Sequence, residues 1–265
     1  MTTLVFDIET IPDTALGRRL YGLEGIEDGD VAKAMSFQQL QTAGTDFLPL
    51  YQQRIVAISV VLRRQDELKV WSLGTPESDE RELVRRFFDG IDRYTPELVT
   101  WNGGGFDLPV LHYRALLHGV VSRRYWDVGD EDREFRYNNY LARFHWRHID
   151  LMDVLSGFQG RARAGLDDVA VMLGFPGKMG MEGSQVWDAW QAGRSADIRN
   201  YCETDVLNTY LVFLRFQHMR GLLDDVGLER ELGRVREFLA GAGQDHFSAF
   251  LAAWDSGGKA AAGPG

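Results

Sequence analysis

The stretch LVFDIET, residues 4–10, is typical of a buried strand because it is apolar and rich in β-branched residues. Pro12 follows shortly after it and forbids an orderly continuation, since proline has no amide proton to donate within a sheet. Side chains alternate between the two faces of a strand, so Asp7 and Glu9 are predicted to share one face and Ile8 to lie on the other. Two carboxylates therefore project together from the strand that opens the fold.

The composition bounds the class of protein. With 265 residues, of which 45% are hydrophobic and 26% charged, the chain can bury a substantial core, and we expect one domain with appendages. No apolar run approaches the roughly eighteen residues of a spanning helix, and the start lacks a secretory signal, so a soluble cytoplasmic protein is expected. The only cysteine, Cys202, excludes an internal disulfide and a thiolate-rich zinc site.

Beyond the first strand, the periodicity of apolar residues predicts an α/β fold. Two alternating stretches around Gln65 and Asp66 predict an antiparallel hairpin beside the first strand. A helix over 80–94 and a short strand over 97–102 follow. The further predicted helices are Asp107–Leu117, 150–158 with Asp150 as its cap, 165–174, and a long helix that begins near Ser195, a good N-cap residue.

The domain boundaries follow from breaks in this pattern. The elements above lie within residues 1–220, and a polar stretch of weak periodicity at about 13–53 is interpreted as an insertion. Residues 221–255 are interpreted as a C-terminal helical extension. Residues 256–265 have no apolar face to bury and are predicted to be disordered.

The acid pair on the first strand suits a metal ion. Carboxylate oxygens are the ligands that Mg²⁺ and Mn²⁺ prefer, whereas zinc usually recruits histidine or cysteine. An acid-x-acid triplet is frequent by chance, and a solvated strand end would explain it equally well. Two acids inside an apolar strand would be costly to bury unpaired, however, and a metal ion would compensate for them.

Three further residues could join this pair. Asp107 follows the glycines at 103–105, at a strand-to-helix junction where an acid can also act as a simple cap. Tyr201 and Asp205 are four positions apart on the long helix and therefore share one face, although a surface contact would give the same spacing.

The candidate substrate-binding residues surround these acids. Thr10 directly follows the acid pair, and Asn102 precedes the glycines, where it can hydrogen-bond a sugar or orient a phosphate. Phe106 is either a core residue or a stacking surface for a base. Lys178 and Ser184, in a Gly-rich loop before the long helix, are candidates for contacts to a substrate backbone.

In order and context, these motifs resemble the three exonuclease motifs of the DEDD superfamily, which has a ribonuclease H-like fold. Asp7-Ile8-Glu9 looks like the opening D-x-E. The residues at 102–107 and 108–114 look like the N-x-x-x-F-D and L-P-x-L-x-x-R of the second motif in the proofreading domains of family B DNA polymerases. Residues 201–205 look like the closing Y-x-x-x-D, and Asn200 stands where the histidine subclass would have its histidine, which indicates the tyrosine subclass.

More narrowly, the chain is similar, from about Leu4 to about His218, to stand-alone bacterial proteins described as predicted 3′–5′ exonucleases related to the family B polymerase exonuclease domain. This resemblance implies a mixed central sheet flanked by helices. It also implies two divalent cations, Mg²⁺ or Mn²⁺, with Tyr201 aligning the attacking water. The implied metal ligands are Asp7, Glu9, Asp107 and Asp205.

The expected substrate is a single-stranded or frayed DNA 3′ end, from which nucleoside monophosphates are released. An RNA 3′–5′ exonuclease and a non-catalytic, nucleic-acid-binding polymerase accessory protein are the alternatives. Replication or repair proteins are the expected partners, whereas the oligomeric state does not follow from the sequence. No polymerase domain is recognised, so editing of the protein's own primer is not expected.

The net charge of −10 runs against nucleic-acid binding, which usually leaves a basic footprint. Bound cations would offset the acidic centre, and an exonuclease grips few nucleotides at one end. Local basic residues are candidates for the remaining contacts, although such residues are commonly just a solvated face. They are Arg123, Arg124, Arg161, Arg163 and Lys178.

Overall fold

The fold is known from a computed structural model that describes residues 2–257. Five strands form one sheet: β1 (Thr2–Pro12), β2 (Gln53–Arg64), β3 (Glu67–Ser72), β4 (Glu97–Thr100) and β5 (His148–Asp150). Their order is β3-β2-β1-β4-β5, with antiparallel pairing of β1 to β2 and of β2 to β3, and parallel pairing of β1 to β4 and of β4 to β5. The sheet is therefore mixed, as the resemblance implied.

The helices of the described residues cover both faces of this sheet. They are α1 (Thr14–Tyr21), α2 (Asp28–Ala43), α3 (Glu80–Tyr94), α4 (Asp107–His118), α5 (Arg123–Trp126), α6 (Leu151–Leu155), α7 (Leu166–Met172), α8 (Val186–Gln191), α9 (Ser195–Met219), α10 (Asp225–Gly241) and α11 (Asp245–Asp255). None of them is both long and apolar enough to cross a membrane.

The alternation of β1 separates two hydrophobic cores. Leu4, Phe6 and Ile8 are buried in one core together with apolar residues of α3 and α4. Val5, on the opposite face, is buried in a second core with α9, α10 and α11. Since Asp7 and Glu9 continue the Val5 face, both carboxylates point to the side of the sheet on which α9 packs. The predicted placement of the acid pair opposite Ile8 is thus confirmed.

Most of the predicted elements are present, with specific differences. The hairpin, α3, α4, α6 and α7 lie where periodicity placed them, and the Asp150 side chain caps α6 by accepting the amide proton of Asp153. The prediction that Ser195 is an N-cap is wrong: Ser195 is the first helical residue, and Arg194 precedes it without a side-chain cap. The short strand β5 was not predicted, because its three residues carry no alternation that would reveal it.

The stretch interpreted as an insertion contains two helices that the sequence did not indicate. α1 and α2 pack against each other around Val31, Met35 and Leu48, and a Cβ atom at Gly17 would collide with the Met35 side chain. Gly17 therefore permits the close approach of the two helices. They form a separate small core beside the sheet.

The C-terminal helices α10 and α11 share the core of the sheet. Arg63 on β2 forms an ion pair of 2.7 Å with Glu231 on α10, and Phe247 and Phe250 on α11 are fully buried. The helical character predicted for 221–255 agrees with this arrangement, while the boundary at residue 220 stays a prediction. From residue 258 onward, the predicted disordered tail lies outside the described residues.

Candidate functional site

The acid pair lies where β1 is irregular. The register between β1 and β2 shifts after Glu9, which pairs with Ala57, while Thr10 pairs with Ile55. A bulge of this kind bends a strand and re-aims its side chains, and bulges are common beside functional sites. One ligand oxygen each from Asp7 and Glu9 lies within 4.8 Å of the other and of the Cys202 sulfur.

Asp107 is brought to this pair by the loop between β4 and α4. Asp150, at the end of β5, accepts the amide protons of Asn102 and Gly104 at 2.9 Å each, which holds the loop in place. Asn102 has a left-handed φ of 64°, which turns the chain toward α4. At the start of α4, buried Asp107 then accepts the Ile8 amide proton at 3.1 Å. The parallel strands β1, β4 and β5 all end at this edge of the sheet.

The long helix α9 supplies the remaining residues. Tyr201 and Asp205 are both buried. The charge of Asp205 acts on Asp7, and the charges of Glu9 and Asp7 act on the Tyr201 phenol, so this turn of α9 faces the end of β1. Among the described residues, Oδ1 of Asp205 has no hydrogen-bond partner although it is buried. A buried carboxylate oxygen without a partner is costly, and a bound cation would satisfy it.

The electrostatics of the four carboxylates show the cost of bringing them together. Burial, and then the neighbouring charges of Asp107, Glu9 and Asp205, raise the pKa of Asp7 well above its ordinary value. Burial also raises the pKa of Glu9, and that of Asp107 to about 7. Burial raises the pKa of Asp205 to about 6, against the lowering effect of Tyr201 and Lys178. The four hard oxygen donors therefore fit divalent cations, whose charge would offset this repulsion.

Tyr201 is a hydrogen-bonding group and not a base in this setting. Burial, followed by the charges of Asp205 and Glu9, raises the pKa of its phenol far above the ordinary value of 10.0. The hydroxyl therefore keeps its proton at neutral pH and can position a neighbouring group by donating it.

Sequence reasoning did not assign Cys202 to this site. Its sulfur lies 3.7 Å from Oδ2 of Asp7, and burial raises the pKa of the thiol well above 9.0, so it is a neutral donor. Its position three residues before Asp205 on a helix would have indicated its place on the same face.

The candidate substrate-binding residues differ in their surroundings. The Thr10 hydroxyl donates a hydrogen bond of 3.0 Å to Oε1 of Gln53 and so braces the end of β1. The ring of Phe106 is partly buried against the core, and its centroid lies 5.9 Å from that of Phe47. Phe47 belongs to the stretch interpreted as an insertion, its side chain is 56% exposed, and no motif indicated it.

The Gly-rich loop before α8 places a cation beside the acids. Lys178 is exposed, its amide donates to Oδ1 of Asp167, and its charge lowers the pKa of both Glu9 and Asp205. Ser184 is exposed in a short 3-10 turn, and its hydroxyl makes no hydrogen bond to the other described residues. Of these two candidates, the structure brings only Lys178 to the carboxylates.

Comparison with known proteins identifies one matching family. Its sequence model, described as predicted 3′–5′ exonuclease related to the exonuclease domain of PolB, matches residues 45–254. The matched range includes Asp107, Tyr201 and Asp205, and also helix α10 and all but the last residue of α11. It begins after the acid pair on β1 and after α1 and α2, so these parts are assigned by the fold and not by this match.

Individual relatives are much longer proteins. DNA polymerase 1 of Sulfurisphaera ohwakuensis is 60% identical over 73 residues, which cover 27% of this chain and 7% of that polymerase. The catalytic polypeptide of DNA polymerase epsilon is 26% identical over 148 residues in Schizosaccharomyces pombe and 25% identical over 150 residues in Saccharomyces cerevisiae. In both yeasts the alignment covers 54% of this chain and 6% of the polymerase.

Proposed function

Because this chain belongs to the family of predicted 3′–5′ exonucleases related to the exonuclease domain of PolB, we propose that it shortens single-stranded or frayed DNA from the 3′ end. The proposed products are nucleoside monophosphates. The proposed cofactors are two divalent cations, Mg²⁺ or Mn²⁺, held by Asp7, Glu9, Asp107 and Asp205.

One observation carries this proposal: four carboxylates from three separate chain segments lie together, so that the charges of Glu9, Asp107 and Asp205 all act on Asp7. The carboxylates repel one another, and Oδ1 of Asp205 is buried without a hydrogen-bond partner among the described residues. Binding of cations would compensate for both of these costs. When bound, a pair of divalent cations would lower the pKa of a water molecule and stabilise the attacking and leaving oxygens of phosphodiester hydrolysis.

The residues around the carboxylates have separate proposed roles. The Tyr201 hydroxyl, kept protonated by its surroundings, orients the attacking water by donating a hydrogen bond. The Lys178 ammonium, which already acts on Glu9 and Asp205, attracts a phosphate of the substrate. Asn102 contacts the sugar or phosphate of the terminal nucleotide, and Phe106 offers a face for its base. Thr10 stabilises the end of β1 through its hydrogen bond to Gln53 and contacts the 3′ end of the DNA.

DNA is preferred over RNA in this proposal because the aligned relatives are DNA polymerases. The carboxylate centre itself would serve either nucleic acid, since the two differ at contacts to the 2′-hydroxyl. An RNA exonuclease is therefore the second candidate. The third, a non-catalytic binding protein, is disfavoured by the presence of all four carboxylates and Tyr201. A cytoplasmic location and association with replication or repair proteins stay predictions.

A digestion assay tests the proposal. DNA and RNA oligonucleotides of the same sequence, labelled at either end, are incubated with Mn²⁺, Mg²⁺ or EDTA. We expect mononucleotide release from the DNA 3′ end with either metal, and protection by a blocked 3′ end. Asp7→Ala and Asp205→Ala should abolish cleavage, whereas Asp46→Ala, an exposed acid outside the cluster, should not.

Each alternative gives a different result in this assay. Faster digestion of RNA than of DNA would replace the substrate. Degradation of a 3′-blocked strand would contradict the direction of attack, and cleavage in EDTA by both alanine variants would contradict the metal centre. Binding without cleavage under every metal condition would favour the accessory protein.

A further inference from the structure

A cavity of about 410 Å³ lies beside the loop that leads to Asp107. Gly104 and Gly105 of that loop form one wall, and Leu108 and Pro109 of α4 continue it. The cavity is thus lined by residues on either side of Asp107 in the chain. The residues that line the rest of the cavity include Arg143, Asp153, Phe158 and Arg163.

Two arginines in this cavity are oriented by one buried carboxylate. Oδ2 of Asp153 lies 2.8 Å from Nη2 of Arg143, and Oδ1 lies 2.7 Å from Nη2 of Arg163. The Asp153 side chain is only 8% exposed, whereas those of Arg143 and Arg163 are 52% and 38% exposed. One negative charge therefore holds two positive charges, and each guanidinium keeps N–H groups for a further acceptor.

The other carboxylate in the cavity is occupied. Asp150 accepts the amide protons of Asn102 and Gly104 through its two oxygens. It therefore stabilises the loop, whereas both arginines keep N–H donors for a ligand. The two arginines and two aspartates of the cavity cancel in formal charge, so it is the unused N–H donors of the arginines that favour an anion over a cation.

An aromatic ring stands next to the arginines. Phe158 has a φ of 60°, which is unusual for a bulky residue, and its amide proton is held by the Asp153 carbonyl at 2.7 Å. Its ring is partly exposed, the Arg143 guanidinium lies 5.2 Å from its centroid, and the exposed ring of Phe144 packs edge-on at 4.9 Å. A ring beside cations is the combination with which proteins bind single strands without sequence preference.

We infer that this cavity is a second subsite of the substrate strand, in which Arg143 and Arg163 bind a phosphate and Phe158 stacks with a base. The inference rests on the proposed function. A DNA strand whose 3′ end lies at the carboxylates has to continue along the protein surface. The loop that leads to Asp107 also lines the cavity through Gly104 and Gly105, so the strand can pass from one site to the other. The subsite would bind a nucleotide remote from the scissile bond and so contribute to affinity for longer strands only.

Chain length of the substrate separates this role from a structural one. The double variant Arg143→Gln with Arg163→Gln is compared with Arg230→Gln, at an exposed arginine on α10 that does not line the cavity. We measure binding of a fluorescent single-stranded DNA in EDTA at several salt concentrations. With Mn²⁺ we measure kcat/KM for a dinucleotide and for the long strand.

We expect the double variant to bind the long strand about tenfold more weakly. The slope of log affinity against log salt should become shallower by about 0.7 for each phosphate that the variant no longer neutralises. Its kcat/KM for the dinucleotide should stay within about twofold of the wild-type value, because a dinucleotide does not extend to the subsite. General destabilisation would instead lower kcat/KM for both substrates alike. Arg230→Gln should match the wild type throughout.

Wild-type affinity and salt slope in the double variant would overturn the subsite. An equal loss of kcat/KM for both substrates would also overturn it, because the arginines would then act only on the fold. Failure of the proposed function is distinct: the wild-type protein would cleave neither substrate, while the salt-dependent binding comparison would still test the subsite.

Discussion

Asp107 accepts the backbone amide proton of Ile8 through Oδ1 at 3.1 Å, although the two residues are 99 positions apart. Ile8 lies between the two acids of β1, so this bond fixes the start of α4 directly against the acid pair. The bond uses the backbone and needs no metal ion. The relative positions of three of the four carboxylates are therefore set by the fold itself, and a cation would bind to a site that is already formed.

Asp107→Asn tests the cost of this arrangement, because asparagine can still accept the Ile8 amide proton but carries no charge. Folding raises the pKa of Asp107 from 3.8 to about 7. The folded state therefore binds more protons between these values, and the stability of the metal-free protein should fall as pH rises through this range. In EDTA above pH 7, we expect Asp107→Asn to raise the Tm by about 4 °C.

Calorimetry with and without metal completes this test. Mn²⁺ should raise the Tm of the wild-type protein at neutral pH, and it should raise the Tm of Asp107→Asn less. Asp92→Asn, far from the carboxylate cluster and bonded to Ser122, controls for the loss of one acid. A wild-type Tm in EDTA that does not change between pH 4 and pH 7 would show that the cluster carries no such cost.

Tyr201→Phe should lower kcat by roughly 100-fold or more, the scale on which a positioned proton donor or acceptor contributes. Burial and the neighbouring carboxylates keep the Tyr201 phenol protonated at all pH values used. The pH dependence of kcat should therefore have the same shape in Tyr201→Phe as in the wild type. The metal-dependent rise in Tm should be preserved, because the hydroxyl is not one of the proposed ligands. Tyr210→Phe, on the same helix, is the matched control, since its hydroxyl lies near Glu231 and away from the carboxylates. Wild-type turnover by Tyr201→Phe would remove the assigned role.

The sequence could predict the carboxylates because strand alternation and helix spacing are local. Asp7 and Glu9 are two apart on a strand, and Tyr201 and Asp205 are four apart on a helix, so each pair shares a face whatever surrounds it. The bond from Asp107 to Ile8 depends on tertiary structure, and no local pattern contains it.

Two of the elements that were missed, β5 and α2, have little local signal. Strand β5 is three residues long and exists because it pairs with β4. Helix α2 buries Val31 and Met35 but leaves Phe37 and Leu40 exposed, so its apolar residues do not define a single face. The same weak patterning concealed Phe47, whose position beside Phe106 follows only from the packing of this segment.

Arg114, the arginine of L-P-x-L-x-x-R, should be a residue of the fold and not of the chemistry. Its side chain is 5% exposed and bonds Asp13 at 2.6 Å and Glu80 at 2.7 Å, while Glu80 also accepts the Ile55 amide proton. Arg114→Met would remove the arginine partner of two buried carboxylates and leave Glu80 with His118 as its remaining side-chain contact. Breaking a buried ion pair in this way costs about 3–5 kcal/mol in comparable cases.

Urea unfolding measures this loss. Adding Glu80→Gln to Arg114→Met should recover part of it, because one of the unpaired charges is then removed. Arg123→Met, at an arginine that is 81% exposed, should change stability by less than about 0.5 kcal/mol. At a temperature where Arg114→Met is folded, its kcat should equal that of the wild type; a lower kcat there would place Arg114 in the catalytic machinery.

Phe47→Ser should weaken the binding of single-stranded DNA by about 1–3 kcal/mol, the range for loss of one stacked base. The Phe47 ring is 56% exposed and lies 5.9 Å from that of Phe106, so the two rings offer adjacent faces close to Asp107. KM should rise and kcat should change little, because the ring is not near the proposed water position. Phe37→Ser removes a similarly exposed ring from α2, in the same segment, and should leave KM unchanged. Equal KM values for the two variants would assign Phe47 to the surface of the α1–α2 unit and leave stacking to Phe106 alone.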